Sequence, residues 1–200
     1  MFGLTIVLAV VQIFAGFYEI AGGMAREREE GTYARLLVSP IPIGAIILGK
    51  TLFDILLSII RTFIVLGLAI YGYGARPNTD ILTLLALSLL VAVVTMGLGF
   101  VASALKLGQR AVVIVEFFLI LFLFAFSGLI IDKELLVGAS QIIANLLPFS
   151  YAFDALRRTV LLGRSLLSLT WDLEYMIGSA IVFYATSFIL LVKSRERLIR

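Results

Sequence analysis

Ala25-Arg26-Glu27-Arg28-Glu29-Glu30-Gly31-Thr32-Tyr33-Ala34-Arg35-Leu36-Leu37-Val38-Ser39-Pro40 is the stretch on which the fold turns, because it is a charged interval between two long apolar runs. Before it, Phe2 to Met24 carries no charge until Glu19; after it, Ile43 to Tyr73 is apolar apart from Lys50, Asp54 and Arg61. A bilayer's hydrocarbon core is about 30 Å thick and a helix rises about 1.5 Å per residue, so a span needs about 20 apolar residues. An aqueous interval flanked by runs of that length predicts a chain that crosses a membrane repeatedly.

Working outward, spans are expected at 2–24, 51–73, 81–105, 111–131 and 175–192. The first is not a signal peptide: no Lys or Arg precedes it, and charged residues follow where cleavage is expected. Pro40-Ile41-Pro42 stops any helix, so the turns up to Lys50 are expected in the interface and the membrane part from Thr51. Thr95, Gly99 and Ser103 form a small-residue stripe along the third span, a surface another backbone can approach closely. Within 132–172, Leu135 to Leu147 is too short to cross and reads as interfacial or re-entrant; Pro148-Phe149-Ser150 breaks it. Tyr151 to Leu162 is expected as a second short helix, stopped by Gly163, with Asp154 and Arg158 at i and i+4. The fold class is all-α: a polytopic membrane bundle of five spans, forming one transmembrane domain over 1–200.

Composition agrees. Of 200 residues, 62% are hydrophobic and 14% charged, and the mean hydropathy is +1.12, against about 45–50% apolar and about 25% charged in soluble domains. Without cysteine there are no disulfides or thiolate metal sites, and without histidine the commonest metal ligand and general base is missing. The expectation is a chain with no catalytic residues, no metal and no cofactor of its own. The net charge of +3 is spread over connecting segments, which does not favour nucleic acid as a partner.

Five spans put the two ends on opposite sides. The charged stretch, the Lys106 to Arg110 turn and the basic tail from Lys193 fall on one side, which the positive-inside rule makes cytoplasmic. The C-terminus is then cytoplasmic and the N-terminus outside. A chain opening on Met1 without a translocation signal does not suit that arrangement, and the expectation is that an earlier span is missing.

Gly44-Ala45-Ile46-Ile47-Leu48-Gly49-Lys50-Thr51 matches the nucleotide-binding pattern G-x-x-x-x-G-K-[ST]. Its context does not: two prolines precede it, its middle is Ala-Ile-Ile-Leu, and the helix after it enters the membrane. The expected roles are helix packing for Gly49 and snorkelling to headgroups for Lys50.

Lys50, Asp54 and Arg61 lie within about 40° of one another on a helix. Asp and Arg near a span's centre cost about 2.5–3.5 kcal/mol each, while each Leu, Ile, Phe or Val returns about 0.3–0.6. This polar seam should therefore turn toward protein, as a structural Asp54–Arg61 or inter-helix pair, or serve as a functional site. Glu19 and Glu116, each near the cytoplasmic end of its span, are expected to partner Arg61 or Lys50. A proton relay through these acids is the sharper alternative.

The mixed signs of Arg26 to Glu30 favour a complementary protein surface over anionic lipid. Gly31-Thr32 is expected to end one short helix and cap the next, Tyr33 to Val38, with Tyr33, Leu36 and Leu37 on an apolar face parallel to the membrane. Two short helices at an angle would make a knob.

Glu27-Arg28-Glu29-Glu30-Gly31-Thr32, then Arg35 to Pro40, then Leu48-Gly49-Lys50 resembles the signature between the second and third spans of type-2 ABC exporter permeases. Leu147-Pro148-Phe149-Ser150-Tyr151-Ala152-Phe153-Asp154-Ala155-Leu156-Arg157 resembles that family's segment before its last span, and Arg158 follows it. The resemblance implies a six-span permease in the cell membrane, dimerising with itself or a paralogue and docking on two ABC ATPase subunits. It implies that segment 25–42, with Arg26 to Tyr33 and Arg35 to Leu37, is the coupling helix, and that the external segment with Pro148, Tyr151, Asp154, Arg157 and Arg158 forms short re-entrant helices. The span missing against that pattern is the first. The expected function is export of a drug, lipid or glycan using ATP hydrolysed by the partner; a proton-coupled secondary transporter and a non-transporting assembly protein are the alternatives.

Overall fold

The structure of the chain, a computed structural model, describes residues 2–127 and 138–199; the side chains of Phe2, Leu37, Leu167 and 196–199 also lie outside the described part. The helices are α1 (Phe2–Glu29), α2 (Thr32–Val38), α3 (Ile43–Gly67, closing in a π turn Leu68–Gly72), α4 (Ile81–Ser103), α5 (Gln109–Phe126), α6 (Ala139–Leu146), α7 (Pro148–Leu162) and, after a 3₁₀ turn, α8 (Thr170–Ile199). No strand occurs among the described residues. Five helices, α1, α3, α4, α5 and α8, are long and apolar enough to cross a membrane. The expected end of the fourth span, 128–131, and the start of the segment after it, 132–137, lie outside the described residues.

α1 and α4 form the interior pair, with α3, α5 and α8 around them. In lipid no hydrophobic force drives helices together, so close packing of small residues decides which meet. A Cβ added at Gly99 would sit 3.0 Å from the Phe17 carbonyl oxygen of α1, and one at Gly16 would sit 3.3 Å from Thr95 Cβ. Gly97, on the other side of α4, faces Phe183 and Tyr184 of α8 at 3.0 Å. The expected stripe is thus the α1 contact, and α4, apolar all round, is packed on two sides by α1 and α8.

Several boundaries differ from expectation. α1 does not stop at Met24 but carries its helix through Arg26–Glu29, so the knob is one extended helix plus α2 rather than two short helices. Arg26 and Arg28 in the last turn suit the negative end of the helix dipole. Thr32 caps nothing with its side chain: the break is Gly31, at φ 73°, and Thr32 is the first residue of α2. α3 continues unbroken through Lys50. Pro148 opens α7 instead of preceding it, since the first helical position needs no amide donor, and the break narrows to Leu147. α8 extends past 175–192 at both ends. Gly163, at φ 63°, stops α7 as expected; a Cβ there would lie 2.6 Å from the Asn78 carbonyl oxygen. Asn78 Nδ2 in turn donates to the Leu161 carbonyl (2.9 Å), tying the α3–α4 loop to α7.

Candidate functional site

At the α2 end of the bundle, three consecutive residues of α1 reach three different helices. Lys50 Nζ of α3 donates to Glu27 Oε1 at 2.5 Å. Arg28 Nη1 donates to the Ser103 carbonyl at the end of α4 at 2.5 Å. The Gln109 backbone N–H at the start of α5 donates to Glu29 Oε1 at 2.8 Å. Successive helical residues are about 100° apart, so these three side chains fan over about 200°. They engage the neighbours on that arc.

Residues outside the fan face out. Arg26, Glu30, Gly31, Thr32 and Arg35 are exposed, Leu36 is half-buried, and the Leu37 side chain lies outside the described residues. Tyr33 is the buried anchor of α2, packed with Ile20, Met24, Ile43 and Leu191, with the Arg28 guanidinium 5.5 Å from its ring centre. Burial pushes its phenol above the ordinary tyrosine range, against the opposing pull of Arg28. The far end of α2 is held from α8: Arg195 donates to the Ser39 carbonyl (2.8 Å) and the Ile41 carbonyl (3.3 Å).

Further along, the polar seam of α3 meets α1. Arg61 Nη2 donates to Glu19 Oε2 at 2.6 Å, and buried Asp54 lies beside Glu19, within electrostatic reach of Arg61 and Lys50. The seam is therefore built of inter-helix pairs. A cavity of about 210 Å³ opens there, lined by Glu19, Ile20, Lys50, Phe53, Asp54 and Leu57. One tier deeper, Gln12 donates to Thr62 Oγ1 (2.7 Å) and accepts from Ser58 Oγ (2.5 Å), both of α3. Sequence reasoning missed this tier. Its signal was the four-residue step Lys50, Asp54, Ser58, Thr62, which puts all four on one stripe.

Other expectations are corrected. Glu116 pairs with neither Lys50 nor Arg61: it is fully buried on α5, with the Tyr18 backbone as its polar neighbour, and neither of its oxygens makes a well-formed hydrogen bond among the described residues. Among the described residues Gly49 packs against nothing, since a Cβ there would meet no atom of theirs within 4 Å. Lys50 is paired with Glu27 instead of snorkelling freely. The Gly44 to Thr51 lookalike is helical throughout, so its amides from Ala45 onward bond back along the helix and form no phosphate cradle.

The 148–158 motif sits at the opposite end. The Tyr151 ring lies tilted against Tyr175 of α8, with ring centres 4.2 Å apart. Arg158 lies between Asp154 (3.9 Å) and Asp172 (3.7 Å). Arg157 is half-buried.

The sequence model of the ABC-2 type transporter family matches residues 2–161. The chain belongs to the ABC-2 type transporter family. No curated protein and no solved structure matches it. The matched region of this ABC-2 chain takes in the charged stretch, the α1–α3 seam and the 148–158 motif. Membership, with five apolar helices, makes the chain a multi-pass membrane protein and a permease subunit of an ABC transporter. ABC-2 membrane chains are transport subunits rather than catalysts, and the family implies an ABC ATPase partner.

Proposed function

We propose that this chain is the permease of an ATP-driven exporter, and that α2 with the α1 extension is the coupling element on which its ATPase acts. The observation that carries this is the anchoring of α2: a short helix outside the spans, with exposed Arg26, Glu30, Thr32 and Arg35, joined to α1 where Glu27, Arg28 and Glu29 grip three helices. A segment so braced passes an applied displacement to the bundle as a rigid-body shift. In this reading the α2 end and the C-terminus face the cytoplasm of a cell membrane, two permeases (identical or paralogous) sit on two ATPases, and the cargo is an amphiphile of the drug, lipid or glycan kind. ATP chemistry resides wholly in the partner.

The test reverses the outward charges, Glu30→Lys with Arg35→Glu, in the chain co-expressed with a cognate ABC ATPase. Loss of co-purification and of permease-dependent ATP hydrolysis is expected. Undiminished binding and hydrolysis would remove the coupling role, and transport driven by a proton gradient without any ATPase would replace the reading with a secondary transporter. Glu29 is unsuitable for this test because it holds α5.

A further inference from the structure

α5 begins with Gly108 in the capping position, where it has no side chain to accept from the helix's first amides. Those amides have no partner within a helix. The first of them, Gln109 N–H, donates instead to Glu29 Oε1 at the end of α1 (2.8 Å). Gly108 leaves the space for this: an added Cβ would lie 3.0 Å from that oxygen. The Gln109 side chain donates to Tyr18 Oη (3.0 Å), so one residue of α5 is bound to α1 at two levels about three turns apart. Val112 packs below against Phe17, Ala21 and Ala25 of α1. Much of α5's remaining surface is uncovered, with Ile114, Phe117 and Phe118 exposed.

We propose that Glu29 is a positioning residue that caps α5 from α1 and so makes α5 follow α2 when α2 is displaced. α1 is unbroken from Tyr18 to Glu29, and only Glu30 and Gly31 separate Glu29 from α2. A shift of α2 therefore reaches the carboxylate directly, and the carboxylate holds the N-terminus of α5. The inference rests on α2 being the element a partner moves.

The test uses the full chain in lipid nanodiscs with no ATPase, so its outcome is separate from that of the partner experiment. Absence of native cysteine allows spin labels at Ala34→Cys on α2 and Ile114→Cys on α5, both exposed positions. Amide hydrogen exchange of residues 109–112 is read in parallel. Loss of a cap typically costs about 1 kcal/mol, which is about 5-fold in exchange. Glu29→Ala and Gly108→Ala, the latter leaving the carboxylate in place, are each expected to speed exchange about 5-fold and to broaden the label distance distribution. The double variant should be no worse than the worse single. Glu29→Gln, which keeps an acceptor oxygen, should hold the distances, and Glu30→Ala should change nothing. Wild-type exchange in Glu29→Ala and Gly108→Ala, a Glu29→Gln indistinguishable from Glu29→Ala, or faster exchange with unchanged distances would each overturn the proposal.

Discussion

Glu116 is a carboxyl inside a membrane helix with no solvent exposure and no well-formed hydrogen bond among the described residues, the Tyr18 backbone being its polar neighbour. A buried polar group left unsatisfied costs about 1–3 kcal/mol. Glu116→Met, of similar length and without the carboxyl, is expected to raise the melting temperature of the purified chain; a lower one would mean that the carboxyl is held by something its surroundings in the bundle do not supply. The Glu19–Arg61 pair behaves oppositely, because removing the guanidinium leaves the Glu19 and Asp54 carboxyls side by side without Arg61. Arg61→Met alone should destabilise by about 1–3 kcal/mol, and the double change Glu19→Gln/Arg61→Met by less. A double variant worse than the single one would remove the pairing argument. Which residues of α3 are polar on one stripe was legible from their spacing. That Glu19 meets Arg61 was among the expected pairings; that Lys50 meets Glu27 and that Glu116 meets neither cation was not legible, since it depends on how α1 and α5 are rotated against α3.

For elements, the least legible feature was where a helix stops. Arg26 to Glu29 are charged enough to read as a solvated loop, yet they are good helix formers, and three neighbouring helices supply partners for Glu27, Arg28 and Glu29. Local composition cannot reveal partners about 23, 75 and 80 residues away. Gly31, in contrast, was readable as a break. Its φ of 73° is the left-handed region, and a Cβ there would touch nothing, so substitution tests the backbone alone. Gly31→Ala is expected to cost about 1–2 kcal/mol and to loosen α2 against Tyr33's packing. Circular-dichroism melting checks the cost; a melt equal to wild type would show that α2 is not held at this turn. The charges of the mixed-charge stretch are of two kinds: Arg26, Glu30 and Arg35 face outward, while Glu27 and Arg28 are half-buried among the helices.

For the whole molecule, membrane class and the five spans were legible because hydropathy and length are properties of segments taken singly. The arrangement was legible only where a residue type dictates it, as Thr95 and Gly99 do for the α1–α4 contact. α3 adds a property that belongs to the molecule in its bilayer. With its π turn it runs 30 residues, Ile43–Gly72, or about 45 Å, against a hydrocarbon thickness of about 30 Å. The surplus of about 15 Å has to be absorbed by tilt, by thickening of nearby lipid, or by burying the ends in headgroups, each at a fraction of a kcal/mol per ångström. The tiers that join α3 to α1 at Glu27, Glu19 and Gln12 limit how far it can lean on its own. Thermal stability is accordingly expected to climb from short-chain to long-chain phosphatidylcholine vesicles; a stability independent of chain length would show that the headgroup region alone takes up the surplus.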